Sequence, residues 1–542
     1  MNLIEDRWIP CKRASGKKEK ISPVDILDSF TSDPFVALDF PRADLNGSVT
    51  QFLIGLLQTT STLDSEDWED WLLDPPSPEE LKKRFLRHKD WFEFSGNGPR
   101  FMQDYDAKME GTQIQIKGLF IDSPGENTID LNKDHFVKRE RIQCLCKSCT
   151  ASALFTLQTN APSGGVGNRT SIRGGGPLTS LIQADRLTSQ SEGSKLSLFQ
   201  NLWLNVLDQE SWEGLYPQKN HPSSEIYPWL KPTYTSESKK TVTPQKVSPL
   251  CLFWGTPRRI RIDFDSVVKG NCSVCGDDSD ELISQYTQKN LGADYTSWIH
   301  TLSPYYLGKE EWLPLHPQPG GIGYRYWLDL FNYSDSQRES QVLTRFKKLD
   351  LNLTKKLNRV SLWSFGYDMD NMKARCWYES RMPIFVLENK NFEILLSDFA
   401  EKMINASREV SSMLVQNIKK CWFKRPKDAR GDLSFIDRAF WAETEQDYFN
   451  LLEKSSQYLG QEVDLLVVNH EIMESWRQSL KNTALRLFSQ WAESSNIEHE
   501  DPKRIALAYN ELMGRLNGPK LREKILGLPK QEKKNQEQEI AT

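Results

Sequence analysis

Two cysteine pairs carry the clearest chemistry in this chain: Cys146-Lys-Ser-Cys149 and Cys272-Ser-Val-Cys275. The C-x-x-C spacing lets two thiolates face one ion, and four thiolates complete a tetrahedral zinc site with no open position. Such a site is structural, because no water can bind there and be activated. Gly276, directly after the second pair, suits the tight turn of a zinc knuckle. Residues 150–271, 122 in all, separate the pairs, whereas a compact zinc ribbon spaces them by about 15–20 residues. The ion would therefore join two distant pieces of chain. The competing reading is two unrelated pairs of buried cysteines. A redox role for one pair lacks the thioredoxin-like strand–helix pattern around it. Cys144 is close enough in sequence to compete as a ligand.

No catalytic constellation accompanies the cysteines. The seven histidines (His88, His135, His221, His300, His316, His470 and His499) form neither H-x-H nor H-E-x-x-H, and none is followed by Asp. A hydrolytic metal centre lacks its usual ligands. There is no phosphate-binding G-x-x-x-x-G-K-[ST] loop and no G-x-S-x-G elbow. The reading is a protein that is not an enzyme, although a dispersed catalytic site escapes a search of this kind.

A second chemical feature follows the first cysteine pair. Asn160 to Pro177 reads NAPSGGVGNRTSIRGGGP, with Arg169 and Arg173 inside it. Glycines permit positive φ and close backbone approach to a ligand. Lys133 to Lys147 holds five basic and two acidic residues. The combination suggests a backbone surface that meets phosphates or base edges. A glycine-rich stretch alone is most often a flexible turn; its place beside the cysteines is what distinguishes this one.

The elements that must position these residues are of two kinds. At 542 residues the chain is too long for one ordinary core, so two or more domains are expected. Residues 1–390 are irregular, rich in Pro, Gly and Trp, with short β-like runs such as Pro249 to Phe264. Ser361 to Phe385 reads as a hairpin around the polar turn Asp368 to Lys373, and Ser29–Leu73 and Pro78–Phe94 have helical patches. Ser236 to Val247 reads as a surface loop.

After Asn391 the apolar period becomes helical. Phe399, Met403, Ala406, Val410 and Met413 form one stripe; Phe435, Ala439, Ala442 and Phe449 suggest a second. Met473, Trp476, Leu480, Ala484, Leu487 and Trp491 form a third, and Ile505 to Leu516 a fourth. Asp432 and Asp501 stand where helix N-caps belong. The fold expected is α+β: a large mixed α/β N-terminal domain with a structural zinc site, then a four-helix bundle over 391–518. Residues 519–542, rich in Lys, Glu and Gln, read as a frayed, disordered tail.

The net charge is −5, and a free-standing nucleic-acid binder is usually basic. Any nucleic-acid contact must therefore be a local patch or shared with partners. No apolar run approaches the roughly 20 residues that a membrane span needs. The charged start, Met1 to Trp8, does not read as a signal peptide. The expected location is the cytoplasm.

Taken together, the motifs resemble the CasA family, the large subunits of the type I-E CRISPR surveillance complex called Cascade. The opening Asn2 to Pro10 with Ile21-Ser-Pro23 is similar to that family's first hairpin. Leu145 to Cys149, Ala153-Leu-Phe155, Ala161-Pro162, Arg173-Gly-Gly175 and Pro177 are similar to its first zinc half and glycine loop. Gly366 to Arg375 and Phe440 to Phe449 continue the likeness.

The resemblance implies a subunit that reads a protospacer-adjacent motif on duplex DNA while a guide RNA on other subunits pairs with the target strand. It implies as partners double-stranded target DNA, guide RNA, other Cascade subunits and a separate helicase-nuclease that cuts. Minor-groove contacts would come from the glycine loop (Ser163, Gly164, Gly165, Val166 and Gly167), from Lys289, and from a wedge at the hairpin tip, Asn371, Met372 and Lys373. Ser163 and Val166 depart from the more glycine-rich family loop, and the tip lacks the glutamine many relatives carry. Phe136, Lys138, Arg139 and Arg141 would touch guide RNA and a neighbouring subunit. Two other readings compete: a stand-alone zinc-containing nucleic-acid binder, and a nuclease with a dispersed site.

Overall fold

The computed structural model describes the chain except for residues 126–128, 130–139, 166, 218–220, 332–335, 371, 388–389, 429, 460–464, 494–500 and 531–542. The described chain divides into two compact units. One comprises Met1–Gly321 and Tyr333–Ile384, the other Ile322–Asn332 and Phe385–Thr542. Among the described residues no helix is long and apolar enough to cross a membrane.

The first unit is built on a buried helix, Ala43–Thr60, around which small sheets of two or three strands are arranged. Leu45, Val49, Phe52, Leu53, Leu56 and Leu57 are all essentially inaccessible, and so are polar members that find backbone partners. Gln58, for example, exchanges two hydrogen bonds with the Leu207 backbone, at 3.0 and 2.7 Å. Phe52 is the hub. Trp8, Phe92, Phe101, Phe155 and Trp254 meet it edge to face at centroid distances of 5.4–6.0 Å. This geometry sets the positive ring edges against negative faces. Phe155 belongs to the helix Lys147–Asn160, which packs on Ala43–Thr60.

The opening hairpin pairs Ile9–Arg13 with Lys18–Ile21. The expected strand over Pro249–Phe264 is only half realised: Pro249–Phe253 is a 3-10 turn and the strand is Arg259–Ile262. That strand and Thr112–Gln115 flank Gln285–Lys289 in one antiparallel sheet. The late hairpin is longer than the polar turn suggested. Ser361–Asp370 and Lys373–Pro383 pair from root to tip. A third strand, Thr179–Gln183, joins only over Ser361–Phe365, so the distal half stands as a two-stranded ribbon.

The second unit is the helical bundle, formed by Lys390–Trp422, Ser434–Tyr458, Leu465–Glu493 and Pro502–Leu516. The first helix packs on all three others. Its stripe from Phe399 to Met413 is buried, as are Met473, Trp476, Leu480, Ala484 and Leu487 of the third helix. In the second helix the buried face differs from the expected one. Ile436, Phe440, Thr444, Tyr448 and Leu452 are inside, while Ala442 is exposed. Asp501 caps the fourth helix through the Arg504 amide at 3.1 Å; Asp432 instead accepts from Ser434 N at 2.8 Å, one position ahead of the N-cap Leu433.

The segment Ile322–Asn332 belongs with these helices although it lies far upstream of them. Tyr324 stacks on Tyr448 at 4.3 Å and bonds Thr444 Oγ1 at 2.8 Å. The expected tail from residue 519 also begins in order: Lys520–Ile525 is a helical turn, and Leu521, Leu526 and Leu528 are buried. Residues 531–542 lie outside the described part.

Because Phe52 contacts five rings at once, Phe52→Ala should lower unfolding free energy by about 3–5 kcal/mol, read as a lower denaturation midpoint with an unchanged slope.

Candidate metal centre and nucleic-acid interface

Cys146 is the N-cap of the helix Lys147–Asn160, and its Sγ accepts from the Cys149 amide at 3.5 Å. One helical turn thus sets both thiols on the same side. The second pair occupies the turn between strands Val267–Asn271 and Asp278–Ile283. Gly276 has φ +79° there, and its amide donates to Cys272 O at 2.9 Å. A side chain is unfavourable at that φ, which accounts for the glycine.

Backbone bonds hold the two halves together. Leu145 and Ile283 exchange both of theirs, at 2.9 and 2.8 Å, and Ser273 N donates to Cys144 O at 2.9 Å. Lys147 pairs with Glu281 at 2.6 Å, and Lys20 pairs with Asp277. The four Sγ atoms of Cys146, Cys149, Cys272 and Cys275 all lie within 4.8 Å of one another, and Cys146 and Cys275 are 3.7 Å apart. This cluster could hold a metal ion. Cys144 stays outside it, with its Sγ 3.6 Å from Asn271 O.

The electrostatics of the cluster suit a cation. Hydrogen bonds, from Cys146 first and then Cys149 and Cys275, push the Cys272 thiol far below its usual range. The same kind of contact, Cys146 first, pushes Cys149 far above it. Four neighbouring thiols therefore do not ionise together by themselves. A divalent cation at their centre favours all four as thiolates. The donor set fits a soft, four-coordinate ion with no exchangeable position.

The cysteine helix ends at Asn160, and the glycine loop departs from it. The loop is pinched at its root: Ser171 N donates to Ala161 O at 2.9 Å and Gly176 N to Asn160 O at 3.0 Å. Arg258 donates to Pro162 O. Ser163 and Gly165 are exposed, and a Cβ on Gly164 would meet only ordinary contacts. Gly167, at φ +79°, accepts from Leu291 N at 2.9 Å, and a Cβ there would lie 2.8 Å from that nitrogen. Leu291 follows the strand that ends in Lys289, whose side chain is exposed. The loop and Lys289, far apart in sequence, are thus brought together. Val166 lies outside the described residues.

The other end of the same segment approaches the long hairpin. A Cβ on Gly176 would sit 2.8 Å from Met369 Cγ and 2.9 Å from Tyr367 O. At the tip Asp370 faces Lys373; Met372 is 51% exposed and Lys373 is exposed, while Asn371 lies outside the described residues. Below the tip the buried Asp368 carboxylate takes two bonds from Arg375, at 3.1 and 2.6 Å, beside a register shift between Asp368 and Met369. Of the four residues expected to meet guide RNA, Phe136, Lys138 and Arg139 lie outside the described residues, and Arg141 is exposed.

Two arginines that looked like loop cations are engaged by partners within the protein instead. Arg173 is 2% exposed. Its guanidinium donates to Thr179 Oγ1, Ser303 Oγ and Gln51 Oε1 at 3.0, 3.1 and 2.5 Å. Burial among these neutral partners pushes its pKa down to about 10. Arg169 bonds Ser236 Oγ at 2.9 Å and pairs with Asp294 at 3.3 Å. The supporting Arg258 was not singled out in the sequence, because its partners are remote in the chain.

The family described as CRISPR-associated protein Cse1 matches residues 2–487. Among solved structures, CasA of Thermus thermophilus is similar at 16% identity, with a TM-score of 0.66 over 95% of this chain and 99% of that one. Cse1 of Acidimicrobium ferrooxidans is similar at 14% identity, with a TM-score of 0.65 over 95% and 98%. A chain of a CRISPR RNA-guided surveillance complex is similar at 14% identity, with a TM-score of 0.62 over 96% and 99%. At such identities the structural likenesses carry the fold, whereas the family match extends over nearly the whole chain. On that match, the chain belongs to the CRISPR-associated protein Cse1 family.

Proposed function

We propose that this protein is the DNA-recognition subunit of a type I-E Cascade complex acting in the cytoplasm. It would read the protospacer-adjacent motif from the minor groove, help open the duplex, and recruit a separate helicase-nuclease that cuts. The observation that supports the reading best is the convergence on one segment. Within residues 161–176, Gly167 touches Leu291, two residues past Lys289, and Gly176 approaches the hairpin.

The physics of the groove agrees with these parts. The minor groove offers few distinguishing groups, mainly acceptors plus the guanine amino group. A loop of exposed backbone can read such a surface, and a lysine can enter it. An apolar side chain pushed between base pairs costs a few kcal/mol of unstacking per step. Met372 is adaptable and exposed at a ribbon tip, so it suits that task. Sequence-specific pairing then belongs to the guide RNA. The four cysteines would hold structural zinc. Its chemistry here is to neutralise four thiolates and fix two chain segments, with no chemical step on the DNA.

Assembly of the guide-RNA-bound complex with and without this chain tests the reading. Motif-dependent duplex binding should require it; unchanged binding after omission would sink the proposal. Tight, salt-sensitive binding by the isolated chain would favour a stand-alone binder instead.

Metal analysis should find about one zinc per chain. Changing all four cysteines to serine should abolish the metal and weaken motif recognition. Normal recognition without metal would break the link between clamp and reading loop.

Met372→Gly with Lys373→Gly should impair strand opening, followed by base-analogue fluorescence, more than initial binding. Equal loss of both, or loss of neither, counts against the wedge.

A further inference from the structure

The sequence places two arginines in the glycine loop, yet Arg173 is buried and Arg169 is held by Asp294 and Ser236. Besides Lys289, two further cations near the loop come from a different segment. Ser236 is buried, and its amide donates to Leu291 O and Gly292 O at 3.3 and 3.2 Å. Further along, Val242 N donates to Asp294 O at 2.7 Å. Val242 O accepts from Thr296 N at 3.1 Å and Trp298 Nε1 at 3.0 Å. Residues 237–241 therefore arch between two anchors on the stretch 291–296. That stretch begins with Leu291, which holds Gly167. It is itself wedged in place: a Cβ on Gly292 would come within 1.8 Å of Pro257 O.

Lys239 and Lys240 occupy the arch and are exposed. Among the described residues neither forms an ion pair, and Lys289 forms none either. Glu237, the one carboxylate of the arch, pairs with no described residue. Lys239 has φ +58°, a conformation that glycine adopts at less cost. The arch thus holds two ammonium groups in water beside the proposed reading loop, on a chain whose net charge is −5.

We propose that Lys239 and Lys240 form a phosphate-binding rim that grips the sugar-phosphate backbone bordering the minor groove at the motif. The groove is only about 6 Å wide, so any loop that reads it lies between two rows of phosphates. Cations anchored to the wall of that loop meet one row. Such contacts position the duplex and carry no base information. This inference rests on the minor-groove reading above.

The test uses the complete complex with guide RNA, Lys239→Gln with Lys240→Gln, and duplexes with the accepted or an altered motif. Each lost phosphate contact should reduce the slope of log affinity against log salt by about 0.9, so the pair by about 1.8. Affinity should fall by the same factor on both duplexes, leaving the motif preference intact. Lys82→Gln with Lys83→Gln, on the exposed face of the helix Pro78–Leu86, reports the effect of net charge alone. A slope change no larger than that control, or a changed motif preference with unchanged slope, overturns the rim assignment. If the unaltered complex shows no motif preference, the minor-groove reading itself falls, and the rim with it.

Discussion

Four sulfur atoms within 4.8 Å of one another tie residue 146 to residue 275. Closing so long a segment costs chain entropy, although the cost grows only slowly with length. The paired backbone bonds of Leu145 and Ile283 offset part of it. What issues from the knot matters more than the knot itself. The helix begun by Cys146 leads after one length into the glycine loop. The strand after Cys275 leads through a second strand to Lys289 and Leu291. Gly167 and Leu291 can meet reproducibly because both segments start from one fixed point.

The local parts of this arrangement were legible in the sequence. C-x-x-C spacing, a glycine run, a hairpin with a polar turn and three of the four helical stripes are all short-range patterns. The parts that were not legible are long-range. Nothing near Arg173 announces that Gln51 and Ser303 will surround it, so a buried arginine read as a surface cation. Nothing near Tyr324 announces Tyr448. The second bundle helix offered two overlapping apolar faces, and its packing partners decided between them. Ser236 to Val247 looked like an ordinary loop, because backbone anchoring by Leu291, Gly292 and Asp294 leaves no trace in composition.

Charge shows the same separation of roles. Several of the cations are occupied internally: Arg42 with Asp44, Arg345 with Asp208, Arg259 with Asp104. Buried pairs of this kind specify geometry more than they stabilise it, since desolvation offsets most of the attraction. An acidic chain can still present a local positive surface when its other arginines are spent inside. Net charge is therefore a poor guide to local surface charge here, and the placement of individual cations is the better one.

The long hairpin has a different kind of consequence. Its register is set at the root, where Thr179–Gln183 adds a third strand over Ser361–Phe365. Beyond Phe365 the two long strands pair only with each other. Folding and tip chemistry are thereby decoupled, and the tip becomes tolerant of substitution while its position stays fixed. Such a ribbon is an exchangeable tool on a rigid handle. Residues 372 and 373 lie beyond the three-stranded root and can vary without altering it.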